Sequence, residues 1–166
     1  RCIPGCCHHV RPPITRTRQQ LIARFLQDQL VNVGAWLDPT TRPYAFPRET
    51  MDSACFFFDS ELRTCRIHVV KPETCRAGPI TFDLDIARER IRWFMKSSTE
   101  CLLASALRRN PMQLAPYLAM AKQALRQLIH ELEPFALHAV LRVPEPFVQP
   151  IGDEPFSDTL RARLIT

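Results

Sequence analysis

Three cysteines stand at equal intervals of ten residues, Cys55, Cys65 and Cys75. Between the first two, Phe56, Phe57 and Phe58 are followed by Asp59-Ser60-Glu61 and then by Leu62 to Val70. β-forming residues on both sides of a short polar break read as strand, turn, strand. Such a hairpin brings Cys55 and Cys65 near each other across its ladder. Pro72 then stops the second strand and turns the chain, so that Cys75 lands just past the turn. Three thiols converging from one hairpin and its exit loop make half a metal site. The run Cys2-Ile3-Pro4-Gly5-Cys6-Cys7-His8-His9 is expected to supply the other half.

Cysteine is the unusual residue of this chain. There are seven in 166 residues, an odd number, with two adjacent. A secreted disulfide framework favours an even count in a shorter chain, whereas 166 residues hold a core without staples. Clustered thiols in such a chain read as metal ligands in a cytoplasmic protein. Gly5 gives the backbone freedom to wrap a metal. Cys6 and Cys7, with Cα atoms about 3.8 Å apart, fit one tetrahedral zinc poorly. They suit a polynuclear cluster better, where each binds a different iron, or two separate sites.

The rest of the chain reads as mainly helical. Prolines 4, 12 and 13 keep residues 1–14 a loop. Thr15 or Thr17 caps a helix in which Leu21, Ile22, Phe25, Leu26, Leu30 and Val33 share one face, ended by Gly34. Residues 35–54 form a long connector with Pro39, Pro43 and Pro47, pinned to the core by Trp36, Tyr44 and Phe46. After Gly78-Pro79, Thr81 or Asp83 caps an expected helix carrying Ile86, Ile91, Trp93 and Phe94. The pattern breaks at Lys96 to Thr99 and restarts at Glu100, which puts Cys101 at a helix start, where the positive end of the dipole favours a thiolate. Asn110-Pro111 opens a long helix to Glu133, and Pro134 kinks or ends it. His130-Glu131 lacks the second histidine of a zincin helix and reads as a solvated face. Residues 143–166 hold Pro144, Pro146, Pro150 and Pro155 and read as an extended tail.

Other function classes find no support. With four glycines, the chain has no dinucleotide fingerprint, no P-loop and no G-x-S-x-G elbow. Its net charge of +5 is dispersed, without a basic block or stacking aromatics between arginines, so nucleic acid is not an expected partner. No apolar run approaches the roughly 18 residues that span a bilayer, so no membrane association is expected.

The cysteine layout resembles the YkgJ family of cysteine-cluster proteins, described as zinc- or iron-chelating and sometimes as iron–sulfur oxidoreductases. The resemblance rests on Cys2-x-x-x-Cys6-Cys7, on Cys55-Phe-Phe-Phe-Asp, on Cys65-Arg-Ile-His68 and on Lys71-Pro-Glu-Thr-Cys75-Arg76, with Glu100-Cys101-Leu-Leu-Ala as a later feature. It covers residues 1 to about 104. The usual family start reads Cys-x-x-Cys-x-x-Cys-Cys, whereas only Cys2, Cys6 and Cys7 stand here. A flagellin lysine methylase carries a similar cluster, so the resemblance also implies a link to protein modification.

The expected fold is therefore α+β and mainly helical, with a small β-hairpin and Cys-rich loops forming a metal site packed on a few helices. Residues 1–108 are expected to form the cysteine-cluster domain, 109–142 a helix packed on it, and 143–166 the tail. The expected ligands are Cys2, Cys6, Cys7, Cys55, Cys65, Cys75 and Cys101, holding an iron–sulfur cluster or zinc. A four-iron cluster uses four thiolates; the remaining three, with His8, His9 or His68, could hold a second metal. Arg66, Lys71 and Arg76 surround the thiols with positive charge. The expected role is redox or accessory, with a protein partner or peptide substrate. A structural-zinc interaction module and a metal-dependent enzyme with an open coordination position are the alternatives.

Overall fold

The structure is a computed structural model that describes residues 4–29, 36–40 and 42–165. It divides into two units, residues 1–76 and 77–166. Among the described residues there are six α-helices and two small antiparallel sheets, a mixed α+β fold.

The first unit opens with a 3-10 turn at Pro4–Cys7. Helix α1 (Arg16–Asp28) follows, with Thr15 as its N-cap accepting from the Arg18 amide at 3.1 Å. Ile22 and Leu26 from its inner face join Ile14, Trp36, Phe57 and Ile67 in the core. The helix ends at Asp28 rather than near Val33. Leu30, Val33 and Gly34, like Cys2, lie outside the described residues. The connector is tied down as expected: Trp36 and Phe46 are buried, and Tyr44 packs edge-on against Phe46. Bridges from Leu37 to Pro47 and from Glu49 to Cys55 hold its two sides together.

The expected hairpin is present but short. Strands β1 (Phe58–Asp59) and β2 (Thr64–Cys65) pair in register Phe58 to Cys65 and Asp59 to Thr64. Asp59 Oδ1 accepts from the amides of Glu61 and Leu62 and shapes the turn. Beyond Cys65 the backbone turns instead of extending, because Ile67 is drawn into the core while His68 and Val69 stay exposed. Cys75 falls on a short helix, α2 (Glu73–Ala77), rather than on a loop.

The second unit corrects two expectations. Residues 80–96 are not a helix but a hairpin, β3 (Ile80–Asp85) and β4 (Arg90–Lys96). Ile80, Phe82 and Leu84 alternate inward, as do Ile91, Trp93 and Met95, which is the period of a strand. Helices α3 (Leu102–Arg109), α4 (Pro111–Glu131) and α5 (Pro134–Leu141) come next. Asn110 caps α4 as expected; α4 ends at Glu131, just before Pro134 as expected, and Pro134 then opens a further helix, α5.

Residues 143–166 carry strand β5 (Val148–Pro155), which pairs with β4, and helix α6 (Asp158–Ile165). The prolines of β5 are tolerated because it is an edge strand in the order β3-β4-β5. Glu154 on β5 accepts from the Trp93 indole at 3.1 Å and from Arg126 of α4 at 2.6 and 2.7 Å. Arg163 of α6 donates to the Ile129 carbonyl at the end of α4 at 2.8 Å, which caps that helix from outside. No described helix is long and apolar enough to cross a membrane.

Candidate metal centre

Four segments of the first unit present five thiols. The N-terminal run lies antiparallel to residues 53–55. The Cys55 amide donates to the Cys7 carbonyl at 2.7 Å, His8 bridges Ala54, and the His9 amide donates to the Ser53 carbonyl at 2.8 Å. This zipper sets Cys7 opposite Cys55. The short hairpin adds Cys65, and α2 adds Cys75.

Cys55 and Cys65 begin the same local structure. The Phe58 amide donates to the Cys55 carbonyl at 2.8 Å, and the His68 amide to the Cys65 carbonyl at 3.1 Å. In each turn the backbone amide two residues on, of Phe57 or of Ile67, acts to lower the pKa of the cysteine thiol against the effect of burial. Those two residues are buried in the core, so each turn is anchored by the side chain whose amide serves the thiol. An N–H donated to sulfur favours the thiolate and tunes a metal bound there.

The sulfurs sense one another. A hydrogen bond with Cys6 raises the Cys7 thiol far above its ordinary value, with burial and the charges of Cys6, Cys55 and Cys65 adding to it. Burial raises Cys55 and Cys65, against their backbone donors. Burial, with Cys55 and Cys65 nearby, pushes the Cys75 thiol up to about 12. Lys71 acts in the opposite sense on Cys65 and Cys75. Burial and the nearness of other sulfurs thus act together against the thiolate form at Cys7, Cys55, Cys65 and Cys75. A cation of two or more charges is what reverses that balance.

Among the described residues, no group of three or more His, Cys, Asp and Glu is assembled closely enough to hold a metal ion. The donor chemistry nonetheless fits soft thiolate metals, zinc and iron–sulfur clusters. Cys101 lies in the second unit as the N-cap residue of α3, without a side-chain capping bond. His8 is half-buried with its ring edge-on to Phe58, while His9 and His68 are exposed. Arg66 pairs with Asp59 at 3.5 Å. Sequence reasoning missed the matched turns at Cys55 and Cys65; the Cys-x-apolar spacing of Cys55-Phe56-Phe57 and Cys65-Arg66-Ile67 was their signal.

Residues 1–102 match the model of the CxxCxxCC family, described as "Putative zinc- or iron-chelating domain". The chain belongs to the CxxCxxCC family. This is the cysteine-cluster family its sequence resembles, and membership supports metal binding in general. No curated protein and no solved structure matches the chain.

Proposed function

We propose that the first unit of this CxxCxxCC protein holds an iron–sulfur cluster, and that the protein has a redox or accessory role in a modification pathway. The observation that carries this reading is the matched pair of turns at Cys55 and Cys65, closed by the Phe58 amide on the Cys55 carbonyl and the His68 amide on the Cys65 carbonyl, with the backbone amide two residues on favouring the thiolate in each. The adjacent, hydrogen-bonded Cys6 and Cys7 favour a polynuclear centre over a single zinc. Ligands are drawn from Cys6, Cys7, Cys55, Cys65 and Cys75, with Cys2, four residues before Cys6, as a further candidate on sequence grounds. Such a cluster supplies one-electron transfer when bound. Around it, Phe57 and Ile67 anchor the two turns, their amides offset sulfur charge, and Lys71 offsets it further. The expected partner is a protein or peptide, and the expected setting is the reducing cytoplasm.

The test is anaerobic purification, followed by an absorption spectrum and analysis for iron, zinc and sulfide on one sample. Broad sulfide-to-iron charge-transfer absorption with iron and sulfide in similar amounts is the expected result. A colourless protein with stoichiometric zinc would replace the cluster by a zinc site. A metal-free protein that takes up neither would overturn the metal reading altogether.

A further inference from the structure

Among the described residues, the buried polar side chains are Thr15, Arg18 and Glu73, all in the first unit and outside its thiols. Arg18 of α1 and Glu73 of α2 form an ion pair with Nε to Oε1 at 2.7 Å, their side chains 5% and 0% exposed. Arg18 also reaches the Val70 carbonyl through Nη1 at 3.5 Å. The partners are 55 residues apart in sequence, so the pair joins segments that nothing local joins.

As a device for stability the pair is poor. Two charges are taken out of water, and Glu73 Oε2 is left buried with no hydrogen-bond partner, as is the Thr74 hydroxyl beside it. A buried pair with an unsatisfied oxygen is matched or bettered by apolar side chains of similar volume. What a charge pair gives that apolar contacts do not is one position and one orientation, because the guanidinium must meet the carboxylate at a fixed point. Glu73 opens a five-residue helix whose third residue is Cys75. α2 is too short to hold its own orientation, since isolated helices of this length are not stable in water. A fixed Glu73 therefore fixes the rotation of the single turn that carries Cys75.

We propose that the Arg18–Glu73 pair is a positioning device that aims Cys75 at the thiols of Cys55 and Cys65. The inference rests on the metal-centre reading for its purpose, though not for its geometry. Its test is a cycle of variants read by cobalt(II) binding, in which thiolate-to-cobalt charge-transfer intensity counts the thiolate ligands. The variants are Cys75→Ser, the apolar double replacement Arg18→Met with Glu73→Leu, and all three together.

The double replacement is expected to fold, with its far-ultraviolet circular dichroism unchanged, and to lose as much intensity as Cys75→Ser. Adding Cys75→Ser to it should lose nothing more, because both changes remove the same ligand. Full intensity in the double variant, or additive losses, would overturn the proposal. Alkylation of Cys75 with iodoacetamide, followed by mass spectrometry on the metal-free protein, reads the positioning without any metal. Cys75 is expected to react severalfold faster in the double variant, with Cys6 unchanged; equal rates at Cys75 would overturn the proposal. Glu73→Gln serves if the double variant does not fold. It keeps the shape and loses the charge, and is expected to show the same Cys75-specific acceleration at smaller amplitude; an unchanged rate would overturn the proposal. Wild-type protein that takes up no cobalt sinks the metal centre, while the alkylation result still decides the positioning.

Discussion

Arg18 illustrates how a charged residue on the inner face of an otherwise amphipathic helix can be correct. It occupies the stripe that includes Ile22 and Leu26, and at 4% exposed it is as buried as they are. Removing one partner strands the other, so Arg18→Met alone is expected to cost about 3–5 kcal/mol. Combining it with Glu73→Leu should recover most of that; urea unfolding of the single and double variants checks both. Glu154 carries a different charge effect. Arg126 holds its carboxylate well below the usual range, with the Trp93 indole adding to the effect and burial opposing it. A depressed carboxylate contributes stability that is present above its unfolded pKa and lost as pH falls through its folded pKa. Acid unfolding followed between neutral pH and pH values below the ordinary carboxylate range should therefore lose a component in Glu154→Gln, whose acid limb is expected to be flatter. At this scale much of the candidate site was legible: cysteine identity, the Cys6-Cys7 adjacency and the spacing of ten needed no coordinates. The Arg18–Glu73 pair was not, because its partners stand 55 residues apart and only the fold brings them together.

Elements divided between those announced by caps and those decided by pairing. Thr15 and Asn110 are oxygen-bearing residues placed just before a helix, and the structure uses both as N-caps. Thr15→Ala is expected to cost about 0.5–2 kcal/mol, seen as a lower urea midpoint with unchanged slope, because one amide of the first turn of α1 loses its acceptor. Residues 80–96 show the opposite case. Asp83 and Asp85 resemble the first turn of a helix, and Ile86, Ile91, Trp93 and Phe94 can be read at helical spacing. The alternation of Ile80, Phe82 and Leu84 against Ile91, Trp93 and Met95 is the signal that prevailed, since a strand facing a core on one side buries every second residue. Propensity is a weak prior beside that burial. The Cys55–Cys65 hairpin was foreseen in place and overextended in length: buried Ile67 pulls the chain out of the ladder one turn after Cys65.

For the whole molecule, each of the two units carries one tryptophan, Trp36 in residues 1–76 and Trp93 in residues 77–166. This offers a direct test of where metal acts. Binding that requires the folded state stabilises it by mass action. Zinc in excess should raise the thermal midpoint reported by Trp36 in a Trp93→Phe variant more than that reported by Trp93 in a Trp36→Phe variant, and a chelator should reverse it; equal shifts would count against a centre confined to the first unit. The sequence by itself determined the chemistry on offer: seven thiols in a spacing that names a zinc- or iron-chelating family, helix starts at Thr15 or Thr17 and at Asn110, and aromatic anchors at Trp36 and Phe46. These depend on residue type and on neighbours a few positions away. Only the tertiary structure decided that residues 143–166 become β5 and α6 instead of an extended tail, that β4 is the central strand, and that Glu73 is buried against Arg18. Each of those is settled by a partner tens of residues away, where burial and hydrogen-bond satisfaction outweigh local preference.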